Sequence, residues 1–234
     1  MRIAEIFRSV QGEGFLTGTP SVFVRASGCN LRCGFCDTPY ASWQPEGEDL
    51  SVEEILTRVE QLDTTQPEHC GHVVLTGGEP MLFAELIPLS AALRRTDHHV
   101  TIETAGTLYL PVECDLMSIS PKLSNSAPLP DADPRWIGRH QRSRHAPGVI
   151  RRLVAEYGYQ FKFVVDRVDD CREVEEYLAE FPEIERARVM LMPQGTDAKS
   201  LARKAEWLAP YCVEHGLGYC ARRQIEWFGI KRGT

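Results

Sequence analysis

A chain of 234 residues with 43% hydrophobic side chains, 18 Gly and 15 Pro has enough apolar material for a sizeable core, which excludes collagen, a coiled coil and intrinsic disorder. With 26 Lys and Arg against 33 Asp and Glu the net charge is −7, so no global attraction to nucleic acid or anionic lipid is expected, and small molecules or proteins are the expected partners. The longest apolar runs, such as 73–75 and 163–165, fall far short of the roughly 20 residues of a membrane helix, and the opening MRIAEIFRSVQGEG has neither an apolar h-region nor a small-residue cleavage site, so the cytoplasm is the expected compartment.

In chain order, β-branched runs predict six strands, at 21–25, 72–76, 99–103, 115–120, 160–166 and 188–192, several of them apolar throughout. Helical patterns fall between most of them, at 51–62, opened by a Ser51/Glu54 capping box, and at 83–95, 169–181 and 198–215. That alternation predicts βα units on a parallel sheet. The stretch 104–114 is too short for a full helix, so the expected architecture is α/β, an incomplete, degenerate (β/α)6-type barrel in one domain over 1–234. One segment, 125–148, is rich in Pro, Ser, His and Arg, begins a run of six arginines from Arg135 to Arg152, and has no acid between Asp133 and Glu156. It is read as an irregular loop over the sheet whose arginines face water in preference to a partner.

Chemistry in such folds gathers at the carboxyl ends of the strands. The residues there are GCNLRCGFCDTPY (28–40), TGGEP (76–80), ETAG (103–106), SPK (120–122) and MPQG (192–195). Cys29, Cys33 and Cys36 form C-x3-C-x2-C in a glycine-flanked loop. Three thiolates bent around a cube face hold a [4Fe-4S] cluster with one iron left open for a substrate. A zinc site, with Asp37 or a distant His as fourth ligand, and three unrelated thiols are the alternatives. Phe35, just before the last cysteine, is placed either to lie beside an adenine or simply to pack.

The C-x3-C-x-aromatic-C pattern resembles the signature of radical S-adenosylmethionine (SAM) enzymes, in which SAM chelates the open iron. Gly77-Gly78-Glu79-Pro80 matches the GGEP stretch whose backbone meets the SAM amine in that family, and glycine permits such close approach. Further residues resemble the 7-carboxy-7-deazaguanine synthases of queuosine biosynthesis. They include the 7–14 segment FRSVQGEG, whose counterpart lies along a pterin substrate, with Val10, Gln11 and Gly12 as the contacts; an ordinary glycine turn is the plainer reading. Thr38, after Asp37, matches a Mg²⁺-ligating hydroxyl. Cys36, Asp37, Gly78, Ser120, Pro121, Lys122 and Gln160 match the SAM side. Arg25 matches a partner of the substrate carboxylate, to which a guanidinium is well suited, Thr76 a substrate contact, and the 227–234 ending, through Thr234, a tail that enters the site instead of fraying.

The resemblance thus implies a radical SAM partial barrel that uses a [4Fe-4S] cluster, SAM and Mg²⁺ to convert 6-carboxy-5,6,7,8-tetrahydropterin to 7-carboxy-7-deazaguanine with release of ammonia. It also implies reduction by a donor such as flavodoxin or ferredoxin, and a homodimer. No side chain is expected to act as a strong acid or base. The competing readings are a glycyl-radical activase, against which Asp37-Thr38 stands where His-Asn is common, and a non-enzymatic metal-binding module, against which the acidity and lack of a second cysteine cluster stand. Cys70, Cys114, Cys171, Cys212 and Cys220 show no metal spacing and are read as packing thiols, and no histidine, including His98, His99 and His140, is assigned to a metal.

Overall fold

The computed structural model describes residues 1–64 and 70–234. The first strand, β1 (Arg2–Val10), forms an antiparallel hairpin with β2 (Pro20–Ala26), and a two-residue β3 (Glu48–Asp49) pairs with its outer edge. From β2 onward the chain alternates: α1 (Val52–Thr64), β4 (His72–Gly77), α2 (Leu86–Arg95), β5 (His99–Thr104), β6 (Leu116–Ile119), α3 (Pro134–Ser143), α4 (Pro147–Glu156), β7 (Tyr159–Val165), α5 (Val168–Glu180), β8 (Val189–Pro193), α6 (Ala198–Glu214), β9 (Gly218–Tyr219) and α7 (Arg223–Phe228). Among the described residues nine strands run in the order β3-β1-β2-β4-β5-β6-β7-β8-β9, and every pairing from β2 to β9 is parallel. The two ends of the sheet do not meet, so the barrel is open, as its repeat count implied.

Period-two alternation sorts the strands into an outer apolar face and an inner polar one. Val22, Val24, Val73, Leu75, Val100, Ile102, Met117, Ile119, Phe161, Phe163, Val189 and Leu191 belong to the main core under the helices. Tyr177 of α5 meets Phe163 edge-on at 5.1 Å. Their sequence neighbours point inward. At the floor, His72 binds Ser21 Oγ through Nδ1 (2.7 Å) and Thr101 Oγ1 through Nε2 (2.9 Å). Burial beside His99 pushes the His72 pKa down to about 4, so the ring is neutral. The strands are therefore less uniformly apolar than their runs suggested, because Ser21, His72 and Thr101 face inward and bond to one another.

Two expectations need correction. The hairpin strand β1 was not anticipated: Arg2, Glu5 and Arg8 interrupt its apolar residues, and most of it is half-buried. The 125–148 segment is not an irregular loop. Asp133 caps α3 by accepting from Arg135 N–H (2.8 Å), Pro134 and Pro147 begin the two helices, and α4 buries Ile150 and Leu153 against the sheet. Residues 105–115 contain no helix, and α4 takes that place: a side chain at Gly106 would come within 2.5 Å of Ile150.

Candidate active site

The inner residues at the carboxyl ends of the strands line a cavity of about 330 Å³. Phe23 and Arg25 of β2, Thr76 of β4, Glu103 of β5, Ser118 of β6, Lys162 and Val164 of β7 and Met192 of β8 form its walls. The cysteine loop, with Cys29, Cys33 and Cys36, crosses its top, and residues 229–232 and Thr234 close its side.

The cysteine loop is held from several directions. Gly34 N–H donates to Ser126 O (3.2 Å), Trp43 Nε1 to Cys33 O (3.0 Å), and Ser42 Oγ lies 3.1 Å from Cys36 Sγ. Arg32 donates to Cys29 O (2.8 Å) and Leu31 O (2.7 Å). The GGEP turn docks under it: Gly78 N–H donates to Ala26 O (3.1 Å) and Glu79 N–H to Gly28 O (2.9 Å). A Cβ on Gly78 would lie 2.2 Å from Gly28 O and 2.4 Å from Ala41 O, so only glycine lets these segments touch. Glu79 is fully buried and faces inward to the protein. It accepts from Thr104 Oγ1 (2.9 Å), Ala105 N–H (2.8 Å) and Met81 N–H (3.1 Å), which bolts the end of β4 to the end of β5, while burial raises its pKa.

Burial pushes the Cys29 thiol up to about 12 and Cys33 to about 11, so metal ligation has to displace their protons. Among the described residues no three His, Cys, Asp or Glu side chains are gathered to hold a single ion. Asp37, the candidate fourth zinc ligand, is instead paired with the buried Arg222 guanidinium. The three cysteines all line the cavity, and a cluster that takes each thiolate on a separate iron needs no fourth protein ligand.

A continuous chain of polar contacts crosses the cavity. Thr76 Oγ1 donates to Glu103 Oε2 (2.8 Å); Lys162 Nζ donates to Glu103 Oε1 (2.9 Å) and to Glu13 Oε2 (3.0 Å). Glu13 Oε1 accepts from Gln224 Nε2 (2.6 Å) and Arg222 Nε (3.3 Å), and Arg222 goes on to Gly195 O (2.6 Å) and Asp37. Burial alone would raise the Glu13 pKa, but Lys162 and Arg222 outweigh it and hold the carboxyl at about 2. Burial works against the Lys162 charge, yet Glu103 and Glu13 raise its pKa far above the ordinary value. Both groups are therefore charged in the fold.

The radical SAM superfamily profile matches residues 23–175. The 7-carboxy-7-deazaguanine synthase of Rhodopirellula baltica is 46% identical, over 99% of this chain and 88% of its own length. The corresponding synthase of Halobacterium salinarum is 41% identical, over 95% and 88%. The chain belongs to the 7-carboxy-7-deazaguanine synthase family of radical SAM enzymes. The crystal structure of QueE from Escherichia coli shares its fold, with a TM-score of 0.69 and 24% identity over 95% of this chain and 93% of that one. Streptococcus suis SuiB bound to S-adenosylmethionine shares it more distantly, with a TM-score of 0.58 and 15% identity over 84% and 48%.

In this radical SAM enzyme the cavity gathers most residues singled out in the sequence: Val10, Gln11, Gly12, Arg25, Cys29, Cys33, Phe35, Cys36, Asp37, Thr38, Thr76, Gly78, Ser120, Lys122 and Thr234. Arg25 Nε donates to Glu5 Oε1 (2.6 Å), which also accepts from Tyr40 OH (2.7 Å). Lys122 folds back onto Ser120 Oγ (2.8 Å). Pro121 and Gln160 are not on the cavity wall. Gln160 lies behind it, accepting from Phe15 N–H (2.8 Å) and donating to Ser118 Oγ (2.8 Å), so it supports the turn after Glu13. Sequence reading included Glu13 and Glu103 within the 7–14 and 103–106 segments without giving either a role, and it missed Lys162, Arg222 and Gln224. Glu103 and Lys162 carried a signal, since a charge alternating with core residues in a central strand must point into the barrel; Arg222 and Gln224 carried none.

Proposed function

We propose that the enzyme converts 6-carboxy-5,6,7,8-tetrahydropterin to 7-carboxy-7-deazaguanine with loss of ammonia, as a step of the 7-deazapurine route to queuosine. The observation that supports this most directly is one cavity with three cysteines on its top and Gln11, Arg25, Thr76 and Glu103 on its walls, in a chain 46% identical to a named synthase across almost its whole length. Cys29, Cys33 and Cys36 would hold a [4Fe-4S] cluster, and the Gly78 backbone, Phe35, Ser120 and Lys122 would contact SAM. When bound, the cluster and SAM would supply one-electron reduction and hydrogen abstraction from the substrate.

The protein's own residues bind and orient. The Arg25 guanidinium meets the substrate carboxylate, and Thr38 would offer its hydroxyl as a ligand to Mg²⁺. Glu13 and Glu103, kept anionic by Lys162 and Arg222, accept from pterin N–H groups, and the 229–234 tail keeps water from the radical. The net reaction removes one ammonia and no electrons, so it does not require SAM to be consumed, and SAM would serve as a cofactor. The enzyme works in the cytoplasm as a homodimer, reduced by a flavodoxin or ferredoxin.

The test is anaerobic turnover with SAM, reductant and carboxytetrahydropterin, with and without Mg²⁺, read by product mass. Deazaguanine product that grows with Mg²⁺ is expected. SAM cleavage on an intact cluster without that product refutes the substrate, and activity from a Cys33→Ala protein refutes the mechanism.

A further inference from the structure

Arg222 stands just before α7 in a strap, 220–224, that closes on the turn carrying Glu13. Gly14 N–H donates to Cys220 Sγ (3.1 Å), Arg223 N–H to Gly12 O (3.1 Å) and Gln224 Nε2 to Glu13 Oε1 (2.6 Å). A Cβ on Gly12 would lie 2.6 Å from Gln224 N, so turn and strap are in direct contact. From this strap the Arg222 guanidinium reaches three separate segments, donating to Glu13 Oε1 (3.3 Å), to Gly195 O beyond β8 (2.6 Å) and to Asp37 Oδ2 in the cysteine loop. The start of that loop is fixed from behind by α3: Arg32 N–H donates to His140 Nδ1 (3.1 Å), and the Arg32 guanidinium lies 3.8 Å from the Trp136 ring. Its end, just after Cys36, is held instead by Arg222. The Arg222 side chain is 10% exposed and that of Asp37 41%, so a buried cation anchors a carboxylate that still borders the open cavity. The fixed fork of a guanidinium can hold two carboxylates at once, which the single point charge of a lysine does less well.

We propose that Arg222 is a positioning residue that couples the two ligands of the cavity, so that SAM and the pterin each raise the affinity of the other. The inference rests on the substrate proposed above. A pterin N–H that donates to Glu13 fixes that carboxylate, then the guanidinium bonded to it and, through the guanidinium, Asp37. The end of the cysteine loop is thereby set before the second ligand arrives, and the cost of ordering it falls on one ligand instead of on both. Coupling of this kind is one free energy shared by two sites, so the factor is the same whichever ligand binds first. A guanidinium that only braced the fold would stabilise the empty protein and leave the two affinities independent.

The experiment uses the anaerobic holoenzyme without reductant, so that no turnover occurs, with SAM and the fully aromatic 6-carboxypterin as probes. Calorimetry gives the Kd of SAM alone and with saturating 6-carboxypterin, and the reverse titration gives the Kd of the pterin with and without SAM. In the wild type each ligand should tighten the other by the same factor, about fivefold or more. Arg222→Gln and, from the other end of the link, Asp37→Ala should each bring that factor to within about twofold of no coupling, whatever they do to the separate affinities. A wild-type factor of one overturns the inference. So does an Arg222→Gln protein that binds both ligands more weakly and keeps the full factor, since that is the result of a purely structural brace. Should Arg222→Gln fail to fold or to take up iron, Asp37→Ala decides alone, and a retained factor there overturns the inference. Absence of any 6-carboxypterin binding to the wild type refutes the proposed substrate and this inference with it, whereas pterin binding that leaves the SAM affinity unmoved refutes this inference only.

Discussion

Replacing Lys162 by methionine keeps the length of the side chain and removes the cation that holds Glu13 and Glu103 together. The Lys162 side chain is 4% exposed, with Nζ at 3.0 Å from Glu13 and 2.9 Å from Glu103. After the change Glu13 retains Arg222 and Gln224, whereas among the described residues Glu103 retains only the Thr76 hydroxyl. Removing one partner of a buried ion pair costs about 3–5 kcal/mol, which in a chain of this size lowers Tm by about 6–20 °C at about 2–4 °C per kcal/mol. Melting is followed by circular dichroism at matched cluster and SAM loading. The double variant Lys162→Met/Glu103→Gln removes the stranded charge and should recover a large part of the loss. The pH dependence gives a second check. The Glu13 carboxyl is held at about 2, below its ordinary 4.5, so its contribution of about 3 kcal/mol is complete above pH 4.5 and is lost as pH falls toward 2. The gap between wild type and Lys162→Met should therefore narrow on acidification. A Lys162→Met protein melting within about 2 °C of wild type, or a double variant less stable than the single, would show that the charges are not coupled as described.

Three further outcomes follow from the same geometry. Gly78→Ala should drive a methyl group into Gly28 O and Ala41 O, and iron content after anaerobic reconstitution should fall well below that of the wild type while the far-ultraviolet spectrum is kept. His72, neutral in the fold with its pKa near 4 against an ordinary 6.5, should cost stability as pH falls from about 6.5 to 4; urea midpoints of His72→Gln should lose less over that interval than those of the wild type. Removing residues 229–234, including the Arg232 guanidinium that lies 3.5 Å over the Tyr40 ring, should raise the pterin KM several-fold with little change in Tm, because the tail lines the cavity and contributes little to the core. A fall in Tm with unchanged KM would place the tail's role in folding instead.

The parallel strands and most of the helices were legible because their apolar residues recur at regular spacing and their connections sit where βα units require them. The cysteine loop was legible because ligand spacing within one loop is a local property. What escaped depended on contacts distant in sequence. Arg222 reaches Asp37 and Glu13 from the far end of the chain, and nothing around residue 222 announces this. Gln160 matched a family pattern, but its amide turns to Phe15 and Ser118 behind the wall. The 125–148 segment looked irregular because proline and arginine dominate it, yet its prolines stand at helix starts, where a missing N–H costs nothing.

The brace between the cysteine loop and α3 also has a timing. Arg32 N–H finds His140 across 108 residues of sequence. At a synthesis rate of about 5–20 residues per second, that separation places about 5–20 s between the emergence of the cysteines and that of the helix that backs them. During that interval the three thiols are outside the ribosome without their cover, open to oxidation and to stray metal ions. Delivery of iron and sulfide to the finished loop, not to the nascent one, is the order of assembly that this architecture favours.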